Sequence, residues 1–124
     1  MTLSRKGQDK YRKDLLDSIP FCLITEVDDD RLLIASHIKP WSKSSNYERI
    51  DKYNGLTLTP TYDKLFDKGF ITFTDKGDIL TSAYLSTKNI ERLNIPEKIK
   101  IGIPSIDKRK CYLEYHRNHV FLKD

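Results

Sequence analysis

The stretch "NGLTLTPTYDKLFDKG", Asn54 to Gly69, constrains the fold more than any other part of the chain. Asn54-Gly55 is a turn pair, and "LTL" (Leu56 to Leu58) reads as a short strand. Thr59 before Pro60 is a helix-start signature: an N-cap residue, then the ring that fits the first turn. "PTYDKLFDK" follows as a short helix, and Gly69 stops it. Strand therefore passes into helix with no linker, and Asp63 and Asp67, four apart, share one helical face.

The flanking segments surround this unit with further elements. Tyr11, Leu15 and Ile19, spaced by four, predict the apolar face of a first helix. Leu16 widens that face, Ser4 suits its N-cap, and Pro20 ends it. "FCLIT" (21–25) and "RLLIA" (31–35) read as buried strands forming a hairpin around the acidic turn Asp28 to Asp30. "SKSSNYERIDKYNG" (42–55) is polar and turn-rich, and reads as a loop, long for a compact domain and of the kind that carries function. "FITFT", "DKGD" and "IL" predict a hairpin with Gly77 in its turn. The region Lys88 to Pro104 has no clear pattern. "DKRKCYLEYHRNHVF" (107–121) predicts a C-terminal helix, with Cys111, Tyr115 and Asn118 or His119 near helical spacing. Trp41 and Phe66 are expected in the core. There is no internal repeat and no low-complexity segment.

At 124 residues the chain suits one domain that needs no metal or disulfide staple to fold. Cys22 and Cys111 belong to no CxxC pair, which argues against a zinc knuckle and for two buried free thiols. No apolar run approaches the roughly 18 residues of a membrane span. The N-terminus "MTLSRKGQDKYRK" lacks an apolar signal core, so a cytoplasmic location is the expectation. Those first 13 residues hold five basic side chains and one acid, which accounts for the whole net charge of +4. A basic arm on a neutral body suits a polyanion such as DNA, since phosphate contacts release counterions. A charge run is equally a solvated helix face.

"ASHIKPW" (Ala35 to Trp41) carries one histidine at the end of an apolar run. Taken alone, His37 is a hydrogen-bonded structural histidine. Together, "ASHIKPW" and "DKYNGLTLTPTYDKLFDKG" resemble the HNH endonucleases, in the subgroup with A-S-H-I-x-P-W, N-G-L and D-x-x-F-D-x-G motifs. "SRKGQDKYRKDLL" resembles the segment R-x-G-Q-x-x-F-R ahead of that subgroup, and "YLEYHRNHVF" its closing helix. The likeness covers roughly residues 4 to 121.

The resemblance implies an α+β fold: a ββα-metal core (21–69) with a basic N-terminal helical arm (1–20), then a hairpin and C-terminal helix (70–124), together one nuclease domain. It implies that His37 is the general base, that Asn54 ties the loop, and that Asp63 binds a divalent metal. Asp67 and Ser36 are further ligand candidates. Ser36 stands where many such enzymes carry Asp, Glu or His, and Asp63 where the final histidine is common. An all-oxygen donor set favours Mg²⁺ or Mn²⁺ over Zn²⁺ or Ni²⁺. The implied activity is metal-dependent hydrolysis of DNA in restriction or anti-phage defence. A homodimer, or a larger parent protein, would supply specificity and a second cut.

The chemistry suits these residue types. Neutral imidazole, with an ordinary pKa of about 6.5, accepts a proton at neutral pH. A hard cation on carboxylate oxygen polarises a phosphate and carries a departing alkoxide. Asn offers both donors and an acceptor to a loop. Candidate DNA contacts are Arg5, Gln8 and Arg12 on one face of the first helix, and Lys39, Lys43 and Arg49 on the loop after His37. His116 and His119 are expected to be structural or to touch phosphate. Two rivals stand beside the nuclease: an HNH-fold module that grips nucleic acid without cutting, and a structural domain whose basic arm faces a protein.

Overall fold

The structure, a computed structural model, describes residues 5–97 and 100–123, with side chains from residue 7 onward. The expected Ser4 cap and the Arg5 side chain lie outside what is described. Among the described residues the architecture is α+β: five α-helices, with short 3₁₀ turns, and two separate two-stranded antiparallel sheets. Helix α1 (Arg5–Ser18) buries Tyr11, Leu15 and Ile19, the face that the four-residue spacing predicts. Strand β1 (Ile34–His37) pairs with β2 (Gly55–Leu58), and α3 (Pro60–Asp67) follows β2 directly. A hairpin of β3 (Ile71–Phe73) and β4 (Ile79–Thr81) then leads to α4 (Thr87–Arg92) and α5 (Ile106–His119). Here α2 is the short helix Asn46–Ile50 inside the β1–β2 connection.

Several expectations hold with little change. Pro60 opens α3, and Gly69 closes it at φ +80°. A side chain at Gly69 would also strike the carbonyl of Val120, so both torsion and space require glycine there. Gly77 turns the β3–β4 hairpin at φ +85°. Phe66 is buried, with its ring tilted against Phe73 at 5.6 Å.

The first predicted hairpin is corrected. Segment 21–25 is a turn, closed by mutual backbone bonds of Cys22 with Glu26 and Val27, with Glu26 at φ 66°. It touches the sheet through one bond, from the Leu23 N–H to the Thr57 carbonyl. Residues Asp30–Leu32 form a 3₁₀ turn, so the strand starts only at Ile34 and runs on through His37. Its partner is β2, in the register His37 opposite Gly55 and Ser36 opposite Leu56.

The polar stretch after Trp41 is not structureless. It contains 3₁₀ turns at Trp41–Lys43 and Lys52–Asn54, with α2 between them. A capping box starts α2: Ser45 accepts from the Glu48 N–H while the Glu48 carboxylate accepts from the Ser45 N–H. The buried face of α5 is also corrected. It comprises Arg109, Tyr112, Leu113 and His116, while Cys111 is exposed. A buried arginine and histidine disguise that stripe. Cys22 is buried, as expected. Trp41 is half-buried beside His37 and is not a core residue. Among the described residues no helix is long and apolar enough to cross a membrane.

Candidate active site

His37 ends β1, where the register sets it against Gly55. Its Nε2 lies 2.9 Å from the Arg49 carbonyl oxygen. A carbonyl only accepts, so Nε2 carries the proton and Nδ1 keeps the lone pair. The ring stacks on Tyr11 at 4.1 Å and meets the edge of Trp41 at 5.7 Å. This partial burial lowers the His37 pKa below its ordinary value, outweighing the opposing pull of the Arg49 carbonyl. Beside it opens a groove of about 520 Å³, lined also by Gln8, Asp9, Arg12 and Ala35.

Asn54 is fully buried under the loop. Its Oδ1 accepts from the Lys39 N–H at 2.8 Å, and its Nδ2 donates to the Glu48 carbonyl at 3.0 Å. Longer bonds of 3.4 Å reach Ser44 Oγ and the Lys39 carbonyl. One amide thus joins both ends of the β1–β2 connection. From the far side Asp51 accepts from the Tyr112 hydroxyl at 2.7 Å, and buried Arg109 donates to the Gly55 carbonyl at 3.1 Å and the Pro104 carbonyl at 2.6 Å. The resemblance points to Asn54 but gave no sign of Arg109 or Tyr112. The spacing Arg109, Tyr112, Leu113, His116 is the signal that would have found that face.

Ser36 and His37 are neighbours on a strand and so face opposite sides. Ser36 is buried toward α3, where its Oγ donates to Asp63 Oδ1 at 2.5 Å. Asp67 does not join this pair. It is exposed near the end of α3, and its charge acts on His116 of α5. His116 itself is buried: Nε2 donates to the Phe66 carbonyl, Nδ1 accepts from the Thr72 hydroxyl, and the ring stacks on Phe66 at 3.8 Å. Burial lowers its pKa to about 4. It is a core histidine. His119 is exposed, in ring contact with Tyr115.

The basic candidates divide. Arg49 lies over the Trp41 ring at 4.5 Å and donates through Nε to the Trp41 carbonyl. Arg12 donates to the Leu33 and Asp30 carbonyls, each at 2.8 Å, which anchors α1 to the start of β1. Lys39 is paired with both carboxylate oxygens of Glu48. Gln8 and Lys43 are exposed.

Among the described residues no group of three or more His, Cys, Asp or Glu side chains is placed to hold a metal, so they form no closed centre. One carboxylate and one hydroxyl are donors suited to an open site. Ser36 Oγ retains lone pairs, and Asp63 retains its second oxygen. Such a pair fits a hard cation that keeps water and takes phosphate oxygens as its other ligands.

Fold and site together define a class: a small α+β domain in which two strands and a helix present a histidine, its loop braced by a buried asparagine. Residues 22–74 match the family model described as HNH endonuclease, so this segment is similar to that family. No curated protein matches the chain in sequence. The family is one of nucleases, which typically use a divalent metal.

Proposed function

We propose that the protein is a metal-dependent endonuclease that hydrolyses DNA phosphodiester bonds, with His37 as general base. The observation that carries this reading is the held tautomer of His37: Nε2–H fixed on the Arg49 carbonyl, and an Nδ1 with no hydrogen-bond partner among the described residues, on a ring that also lines an open groove. Nδ1 takes a proton from water as that water attacks phosphorus. The lowered pKa keeps the imidazole neutral, and so basic, at neutral pH.

The division of Ser36 and His37 between two faces suits this reaction. In-line displacement sets the attacking and departing oxygens on opposite sides of phosphorus. On this reading His37 serves the attacking oxygen and the Ser36–Asp63 pair would serve the departing one. That pair would hold Mg²⁺ or Mn²⁺, which supplies charge for the phosphate and the departing oxygen when bound. Asn54 keeps the loop, and with it the Arg49 carbonyl, in register with His37. Arg49, Lys43 and Gln8 supply contacts for the DNA backbone. A place in restriction or anti-phage defence rests on the motif resemblance.

A non-cutting, nucleic-acid-binding domain is the second reading, favoured by the single carboxylate at the metal pair. The test is nicking of supercoiled plasmid with EDTA, then with Mg²⁺, Mn²⁺, Ni²⁺ or Zn²⁺ restored, for wild type and Asp63→Ala. Cutting that needs Mg²⁺ or Mn²⁺ and fails in Asp63→Ala supports the nuclease. Salt-sensitive DNA binding without cutting under any metal supports the second reading.

A further inference from the structure

The family match begins at residue 22, yet a residue of α1, before that boundary, reaches the histidine. Tyr11 is 3% exposed. Its ring lies nearly parallel to the His37 imidazole, at 13° and a centroid distance of 4.1 Å. Its hydroxyl donates to the Asn54 carbonyl at 3.2 Å and reaches the Ser36 carbonyl at 3.5 Å. The Ile38 N–H donates to the same Asn54 carbonyl at 3.1 Å. One side chain therefore covers a face of the imidazole and ties together the backbone on both sides of it.

Gly55 records the same contact. Its backbone is extended, a conformation open to any residue, so torsion does not require glycine. Space does: a Cβ there would collide with the Tyr11 hydroxyl and come within 2.8 Å of Leu15 Cδ2. The glycine of "NGL" is the seat of the Tyr11 phenol.

We infer that Tyr11 is a positioning residue for His37, so that α1 is part of the catalytic unit and not only a basic arm. This rests on the reading of His37 as general base. With the phenol on one face and the Trp41 edge beside it, the imidazole is held in one plane and Nδ1 has one direction. Without the phenol the ring is free to tilt about its Cβ–Cγ bond, and water reaches its face.

The experiment compares wild type, Tyr11→Phe, Tyr11→Leu, Gly55→Ala and His37→Ala. It reads plasmid cleavage resolved into kcat and KM, single-turnover rates, and DNA binding. For Tyr11→Leu the expected result is a rate loss of about 10²-fold at saturating DNA, the lower end of what a positioned base supplies. DNA affinity stays unchanged. The loss falls on kcat and not on KM. Tyr11→Phe keeps the stacked ring and restores the rate to within about threefold.

A folded Tyr11→Leu with wild-type rate overturns the inference, while loss of cutting in His37→Ala leaves the nuclease reading standing. If Tyr11→Leu gives no dispersed spectrum, Gly55→Ala decides in its place, because its methyl displaces the same phenol. Slowed cutting at unchanged DNA affinity supports the inference, and wild-type cutting overturns it. Wild-type cutting by His37→Ala overturns the nuclease reading and the positioning role together.

Discussion

On the proposed reading, two buried or half-buried histidines take different roles because their surroundings differ. His37 and His116 both give Nε2–H to a backbone carbonyl. The other nitrogen of His116 is occupied by the Thr72 hydroxyl, whereas Nδ1 of His37 has its lone pair to spare. The lowered pKa of His37 predicts that the acid limb of the cleavage rate lies below about 6.5. A pH–rate profile checks this, and a midpoint above the ordinary value would contradict it. Asn54 is the other decisive residue. Asn54→Ala strands the Lys39 N–H and the Glu48 carbonyl, at an expected cost of roughly 2–4 kcal/mol in urea unfolding.

At the scale of elements, the legible parts of the sequence were those with local chemistry. Tyr11, Leu15 and Ile19 marked one helical face, Thr59-Pro60 and Gly69 bracketed α3, and Gly77 marked a hairpin turn. What stayed hidden was set by distant partners. "FCLIT" has the composition of a strand, but β2 takes β1 as its partner and leaves that segment a single ladder bond. The α5 face was missed because Arg109 and His116 look like surface residues until their carbonyl partners are known. Ser45 and Glu48 form a readable capping box within a stretch whose composition reads as loop. The motif pointed to His37, Asn54 and Asp63 together. It gave no hint that Asp67 stays exposed while Asp63 turns to Ser36. Gly69→Ala tests the α3 terminus. Strain at φ +80° costs about 1–3 kcal/mol, and the collision with Val120 adds to it. Thermal unfolding would show the loss.

At the scale of the molecule, α1 and α5 hold the strand pair from two sides. Tyr11 bonds the Asn54 carbonyl, and Arg109 bonds the next carbonyl, that of Gly55. The same packing makes stability depend on pH. His116 titrates near 4 in the fold and near 6.5 when unfolded, so the unfolded chain binds a proton first as pH falls. The contribution is intact above about 6.5 and is lost progressively down to about 4, roughly 3 kcal/mol in all. Urea unfolding across that window should show the slope, and His116→Gln should flatten it. An equal slope in the variant would remove His116 as its source. All of this scaffolding serves one strand end, and the claim about it is tested most directly by nicking of supercoiled plasmid with Mg²⁺ by wild type and His37→Ala, side by side. Wild type is expected to nick only with metal present, with at least about a 10²-fold loss in the variant and DNA binding retained. Equal nicking by both proteins would contradict it.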